Sequence, residues 1–144
     1  MSKYFTMAEM LKTNTGIENI PADAVIEVRI NNTMQRMDKV RELLGCSIKI
    51  SSGYRSLAVN KAVGGSPTSG HVLGYAVDFT CSGFGTCRQI AEKIIASSIK
   101  FDQLILEAVT PNSKNGVWVH ISFDPKCRMQ VLTMTNGKYL GGLK

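Results

Sequence analysis

Apolar residues at Ile26, Ile30, Met34, Met37, Val40 and Leu44 recur at intervals of three and four, which makes one stripe of a helix. Gly45, directly after the last of them, is a natural stop. Two more helices are marked by capping boxes, in which a hydroxyl and a carboxylate or amide three residues on satisfy each other's backbone amides. "TMAE" sets Thr6 against Glu9 and predicts a helix to about Lys12. "TCRQIAEKIIASS" sets Thr86 against Gln89 and carries a stripe at Ile90, Ile94 and Ile95. A shorter helix is expected from Leu57 to Val63, ended by Gly64-Gly65.

Elsewhere the period changes to two. "CSIKIS" separates Cys46, Ile48 and Ile50 from the polar positions, and "YAVDFTC", "QLILEAV" and "GVWVHISF" also read as strands. Between the third helix and "YAVDFTC" the loop "GGSPTSG" delivers the chain to His71. Asn136-Gly137 is a strong two-residue turn signal and predicts a closing hairpin. Helices come first, then strands joined mostly by hairpins, with one helix inserted. That order predicts an α+β fold, a mainly antiparallel sheet with helices packed on one face. The 144 residues are sized for one domain, and no repeat or linker divides them, so residues 1–144 are expected to fold as one.

Alternation also decides which side chains share a face. Asp78 points with Ala76 and Thr80, His120 with Trp118 and Ser122, and Glu107 with Ile105 and Val109. Three strands thus each carry one reactive group at mid-strand, and as neighbours they would bring Asp78, Glu107 and His120 to one patch. His71, arriving from its loop, would complete it. A lone strand histidine is commonly a satisfied core or edge residue. Buried carboxylates on apolar runs are harder to dismiss, because an unpaired buried charge is costly. Two imidazoles and a carboxylate form a common ligand set for catalytic Zn²⁺, which leaves a fourth position for a water whose pKa falls to about 7. Glu107 is placed to take that proton.

Charge and cysteine content narrow this picture only slightly. The formal net charge of +6 favours an anionic partner, but the lysines and arginines are scattered, without the run that marks a nucleic-acid arm. No apolar run approaches the ~20 residues needed to span a bilayer, and the first residues lack the features of a secretory signal. Cys46, Cys81, Cys87 and Cys127 could form two disulfides, and Cys81 and Cys87 could close a small loop. Reduced thiols acting as small hydrophobes are favoured, and with no CxxC pair a zinc ribbon is not expected.

The stretch "SSGYRSLAVNKAVGGSPTSGHVLGYAVDF" resembles the M15 group of zinc D-Ala-D-Ala carboxypeptidases and L-Ala–D-Glu endopeptidases. It carries an SGYRS segment, a VGG turn and an S-x-H-x-x-G-x-A-x-D motif at Ser69, His71, Gly74, Ala76 and Asp78. The later "WVHIS" is similar to the segment that supplies the group's third metal ligand. The likeness runs from about Tyr4 to Phe123 and is greatest to the short, phage-type members, those of the group's subfamily A. It implies a hedgehog/DD-peptidase-like fold, a Zn²⁺ cofactor held by His71, Asp78 and His120, and peptidoglycan stem peptides as substrate.

The resemblance also implies that Arg55 binds substrate or polarises its carbonyl, a role favoured over its alternative, a loop salt bridge. Ser69 would bind substrate or a metal ligand, or only cap the loop. Trp118 would frame the cleft or touch substrate. Many members carry an acidic residue three positions before the last histidine as general base. Here that position is Val117. Short members often show a "DQLI-x-E" strand instead, present here as "DQLILE", so Glu107 is the expected base, with Asp102 and Asp124 in reserve. A zinc-holding, non-catalytic peptidoglycan-binding module is the alternative. The expected molecule is a monomer without nucleic-acid partner or membrane insertion. It would be made in a host cytoplasm and act on the cell wall, or be carried on a virion.

Overall fold

A computed structural model describes all 144 residues. Helix α1 (Met7–Leu11) starts at the expected capping box, with Thr6 and Glu9 satisfying each other's backbone amides. Helix α2 (Ala24–Leu44) is capped by Asp23, whose carboxylate accepts from the Ile26 amide, and it ends at Gly45. Its predicted stripe is its buried face, with Ile30, Met34, Met37, Val40 and Leu44 all in the core. Strand β1 (Lys49–Ser52) begins later than the alternation from Cys46 suggested. Helix α3 (Leu57–Ala62) follows, then a one-turn helix α4 (Gly70–Leu73) where a loop was expected. After strand β2 (Ala76–Thr80), helix α5 (Cys87–Ile95) buries Ile90, Ala91 and Ile94 but leaves Ile95 exposed.

Strands β3 (Gln103–Val109), β4 (Trp118–Ser122), β5 (Gln130–Thr135) and β6 (Lys138–Gly141) complete one sheet of order β1-β2-β4-β3-β5-β6. Its pairings are antiparallel except β3 with β5. The fold is therefore α+β with a mostly antiparallel sheet. The parallel pair arises because the chain leaving β4 crosses to the far side of β3 before it turns back. An ion pair fastens this crossing: Arg128 donates through Nε and Nη2 to the two oxygens of Asp102, each at 2.8 Å. The closing hairpin turns at Asn136 and Gly137, both with φ near the left-handed value, as the twist of a two-residue hairpin requires.

The core lies between α2, α5 and one face of the sheet, where Val77, Phe79, Leu104, Val119 and Ile121 meet Met34, Met37, Ile90 and Ile94. No helix is long and apolar enough to cross a membrane. All four cysteines are free thiols, so Cys81 and Cys87 close no loop. The opposite face of the central strands carries the polar residues that the alternation set apart.

Candidate metal centre

Strand register brings the reactive groups together. Asp78 on β2 is the Cα partner of His120 on β4, and His120 is in turn the partner of Ile105 on β3. Glu107 lies one row along, opposite Trp118. His71 joins them from above, because α4 stands over this face. Ser69 caps α4 by accepting the His71 amide at 3.2 Å. Gly74 ends it at φ +83, a conformation that a side chain would strain, and any Cβ there would crowd Arg29 and Ile26.

His71 is 2 % exposed, and its Nδ1 lies 2.7 Å from the Gly53 carbonyl oxygen. A carbonyl can only accept, so Nδ1 carries the proton and donates. Burial lowers the His71 pKa, with the neighbouring Asp78 opposing that only in part, so the ring is held neutral. Its Nε2 is therefore a bare lone pair, set 3.2 Å from Asp78 Oδ1. His120 Nδ1 reaches the same oxygen at 2.9 Å. Two acceptors facing each other at 3.2 Å repel unless a cation or proton joins them. One donor atom from each of His71, Asp78 and His120 lies within 4.8 Å of the other two, a group that could hold a metal ion.

The surroundings are those of a ligand set held in place. Arg55 donates Nη2 to Asp78 Oδ2 at 3.3 Å, its Nε to Ser52 and its Nη1 to Asn60. Its salt bridge is thus to the candidate metal ligand itself, which leaves guanidinium hydrogens free for a further partner. Burial alone would raise the Asp78 pKa, but the hydrogen bond from His120 Nδ1 opposes that, and the carboxyl is held below the usual carboxylate range.

Glu107 is buried, belongs to no ion pair, and stands beside the donor group without being part of it. Burial pushes its carboxyl up to about 7; His120 and Arg55 pull it down while Asp78 pushes it further up. A carboxyl poised there is suited to take and return a proton near neutrality. Ala108, directly after it, has φ +60, and the β3–β5 register shifts between Leu106 and Val109. The alternation that set Val109 beside Glu107 breaks at this bulge, a device that re-aims side chains at active sites.

The reserve residues stand elsewhere. Asp102 is consumed by Arg128, and Asp124 lies past the end of β4 beside Arg36 and Lys100. Ser69 uses its oxygen as a cap, and its own hydroxyl hydrogen stays available. Trp118 lies on the site face and is half-buried.

Several contributors escaped sequence reasoning. Buried Asn19 donates to the Leu11 and Tyr54 carbonyls and accepts from the Ser56 amide, which fixes the loop presenting Gly53 and Arg55. Buried Asn60 holds Arg55, and a Cβ at Gly65 would collide with the Asn60 side-chain oxygen. Each asparagine is a lone amide between one apolar and one charged residue, a pattern that gives no sign of burial. Leu132 pairs with Ile105, and Tyr139 pairs with Met134, so the closing hairpin extends the site face with Leu132, Met134 and Tyr139.

The donor set suits zinc: nitrogen and oxygen ligands, three in number, as in catalytic rather than structural sites. No curated protein matches the chain. A family model, Peptidase M15, matches residues 3–111, which spans α1 through β3 and includes His71, Asp78, Arg55 and Glu107. The chain belongs to the Peptidase M15 family.

Proposed function

We propose that the protein is a zinc-dependent peptidase that hydrolyses stem peptides of peptidoglycan, as a short phage-type member of its family. The observation that carries this reading is the meeting of His71, Asp78 and His120 beside an unpaired, proton-poised Glu107. Zinc, when bound, polarises the scissile carbonyl and acidifies water.

The chain's own residues supply the rest. His71 presents its bare Nε2 and His120 its Nδ1, and Asp78 a carboxylate kept ionised by its neighbours. Arg55 holds Asp78 in place, and its remaining hydrogens steady the carbonyl oxygen of the substrate as charge builds there. Glu107 takes a proton from the attacking water at its carboxylate and delivers it to the departing amine. Trp118 and the Ser69 hydroxyl border the cleft where the peptide lies.

Either the D-Ala-D-Ala bond or the L-Ala–D-Glu bond fits this machinery. Digestion of purified peptidoglycan with and without chelator, followed by mass analysis of the muropeptides, tests the reading and names the bond. Fragments that vanish on chelation support it. The competing reading, a zinc-containing binding module, draws on Val117 standing where many relatives carry an acid. It wins if zinc is bound at one equivalent and every stem peptide stays whole. The basic charge and a place of action at the wall, for a lysin or a virion protein, complete the proposal.

A further inference from the structure

On the helical side of the sheet, away from the metal centre, a groove of about 520 Å³ runs between α2 and the chain flanking β2 and β4. Arg29, Arg36 and Lys39 line it, with Tyr75, Phe123 and Pro125 opposite, and no carboxylate does. None of these three cations is in an ion pair. Arg29 instead lies 4.9 Å over the Tyr75 ring and donates to the Leu73 carbonyl, which fixes it at the groove edge. A smaller groove adjoins, sharing Arg36 and adding Lys100, with Asp124 as its one acid.

Positions 29, 36 and 39 fall on one side of a helix and span about 15 Å along its axis. A row of unneutralised cations of that length matches successive charges on a chain better than one small ion. The groove shares no lining residue with the metal centre, so it can be filled while the site works. We infer that this groove binds a linear phosphodiester polyanion, and that its occupant is a polyol-phosphate polymer of the cell wall. The choice of a wall polymer over nucleic acid rests on the peptidase reading above. The groove's charge pattern does not.

The test uses the full chain and a fluorescent glycerol-phosphate oligomer, which contains no peptide, so binding is read whether or not the protein cuts peptidoglycan. Anisotropy titrations at several salt concentrations compare the wild type with Arg36→Gln/Lys39→Gln. A control variant, Lys49→Gln/Lys93→Gln, removes two exposed cations outside the groove. All four positions are exposed, so thermal midpoints are expected to stay together, and each single variant repeats the measurement. The groove variant is expected to bind about tenfold more weakly, with the slope of log affinity against log salt reduced by about one to two. The control is expected to change little. Equal losses in both variants would reduce the effect to net charge and overturn the site. Absence of binding at about 0.15 M salt would overturn it too. Tighter binding of a single-stranded oligonucleotide of equal charge would overturn the wall polymer as occupant.

Discussion

Asp78 and His120 face each other as Cα partners across β2 and β4, and Asp78 Oδ1 lies 2.9 Å from His120 Nδ1. The same oxygen is 3.2 Å from the bare Nε2 of His71, so one atom collects two imidazoles. Three polar groups converging in a site this dry carry an electrostatic cost that a bound cation removes.

Zinc is accordingly expected to stabilise the fold. Binding to the native state alone adds RT ln(1 + [L]/Kd), about 2.7 kcal/mol at a hundredfold excess over Kd. For a chain this size that is a rise of roughly 5–10 °C in the thermal midpoint. Scanning calorimetry of metal-free and reloaded protein checks it, and the rise is expected to disappear in Asp78→Asn.

Glu107→Gln separates the base from the ligands. The variant is expected to keep its zinc and lose turnover by about 10²–10⁴-fold. In the wild type, activity is expected to climb as pH rises toward 7 and Glu107 ionises, with bound metal moving that limb lower. Stability of the metal-free protein runs the other way. A carboxyl whose folded pKa is raised binds more protons folded than unfolded, so stability falls as pH rises between about 4.5 and 7. The Gln variant is therefore expected to melt higher than wild type at about pH 8 and not at about pH 4.

Arg55 touches Asp78 before it touches any substrate. Arg55→Ala is expected to weaken zinc binding about 10–100-fold, as loss of an outer partner of a ligand does. Lysine is not expected to restore it, since one ammonium does not replace a guanidinium donating to Ser52, Asn60 and Asp78. Competition with a chromophoric chelator measures the affinity. An unchanged Kd with a raised KM would confine Arg55 to substrate.

Asp102, which opens the strand motif, serves the fold. Asp102→Asn removes the charge from its ion pair with Arg128 and is expected to lower the unfolding midpoint. Turnover per folded molecule should be unaltered. Denaturant unfolding and an assay corrected for folded fraction check the two halves, and a large loss of turnover in the folded protein would restore Asp102 as a candidate base.

Period-two alternation set the face that each of Asp78, Glu107 and His120 takes on its own strand, and the register of neighbouring strands brings those faces together. The α2 stripe was equally legible, since apolar positions at three and four admit one buried side. What stayed hidden depends on distant partners. His71 sits on a helix of one turn that local propensity cannot sustain, built from the Ser69 cap and the Gly74 ending. The Gly53 carbonyl that fixes its ring is a backbone group any sequence would supply. Asp102 stood in reserve as a base, and the residue that occupies it, Arg128, lies 26 positions further on. The bulge at Ala108 and the parallel β5 likewise follow from tertiary packing, with no residue type to announce them.

We propose that His71, Asp78 and His120 together hold zinc. X-ray absorption at the zinc edge, on protein dialysed to constant metal content, tests it most directly. One equivalent of zinc with nitrogen and oxygen ligands at about 2.0–2.2 Å, two of them imidazole, is the predicted result, lost in Asp78→Asn and His120→Ala. A sulfur shell at about 2.3 Å, which would place the metal on the free cysteines, or no retained zinc at all, would contradict it.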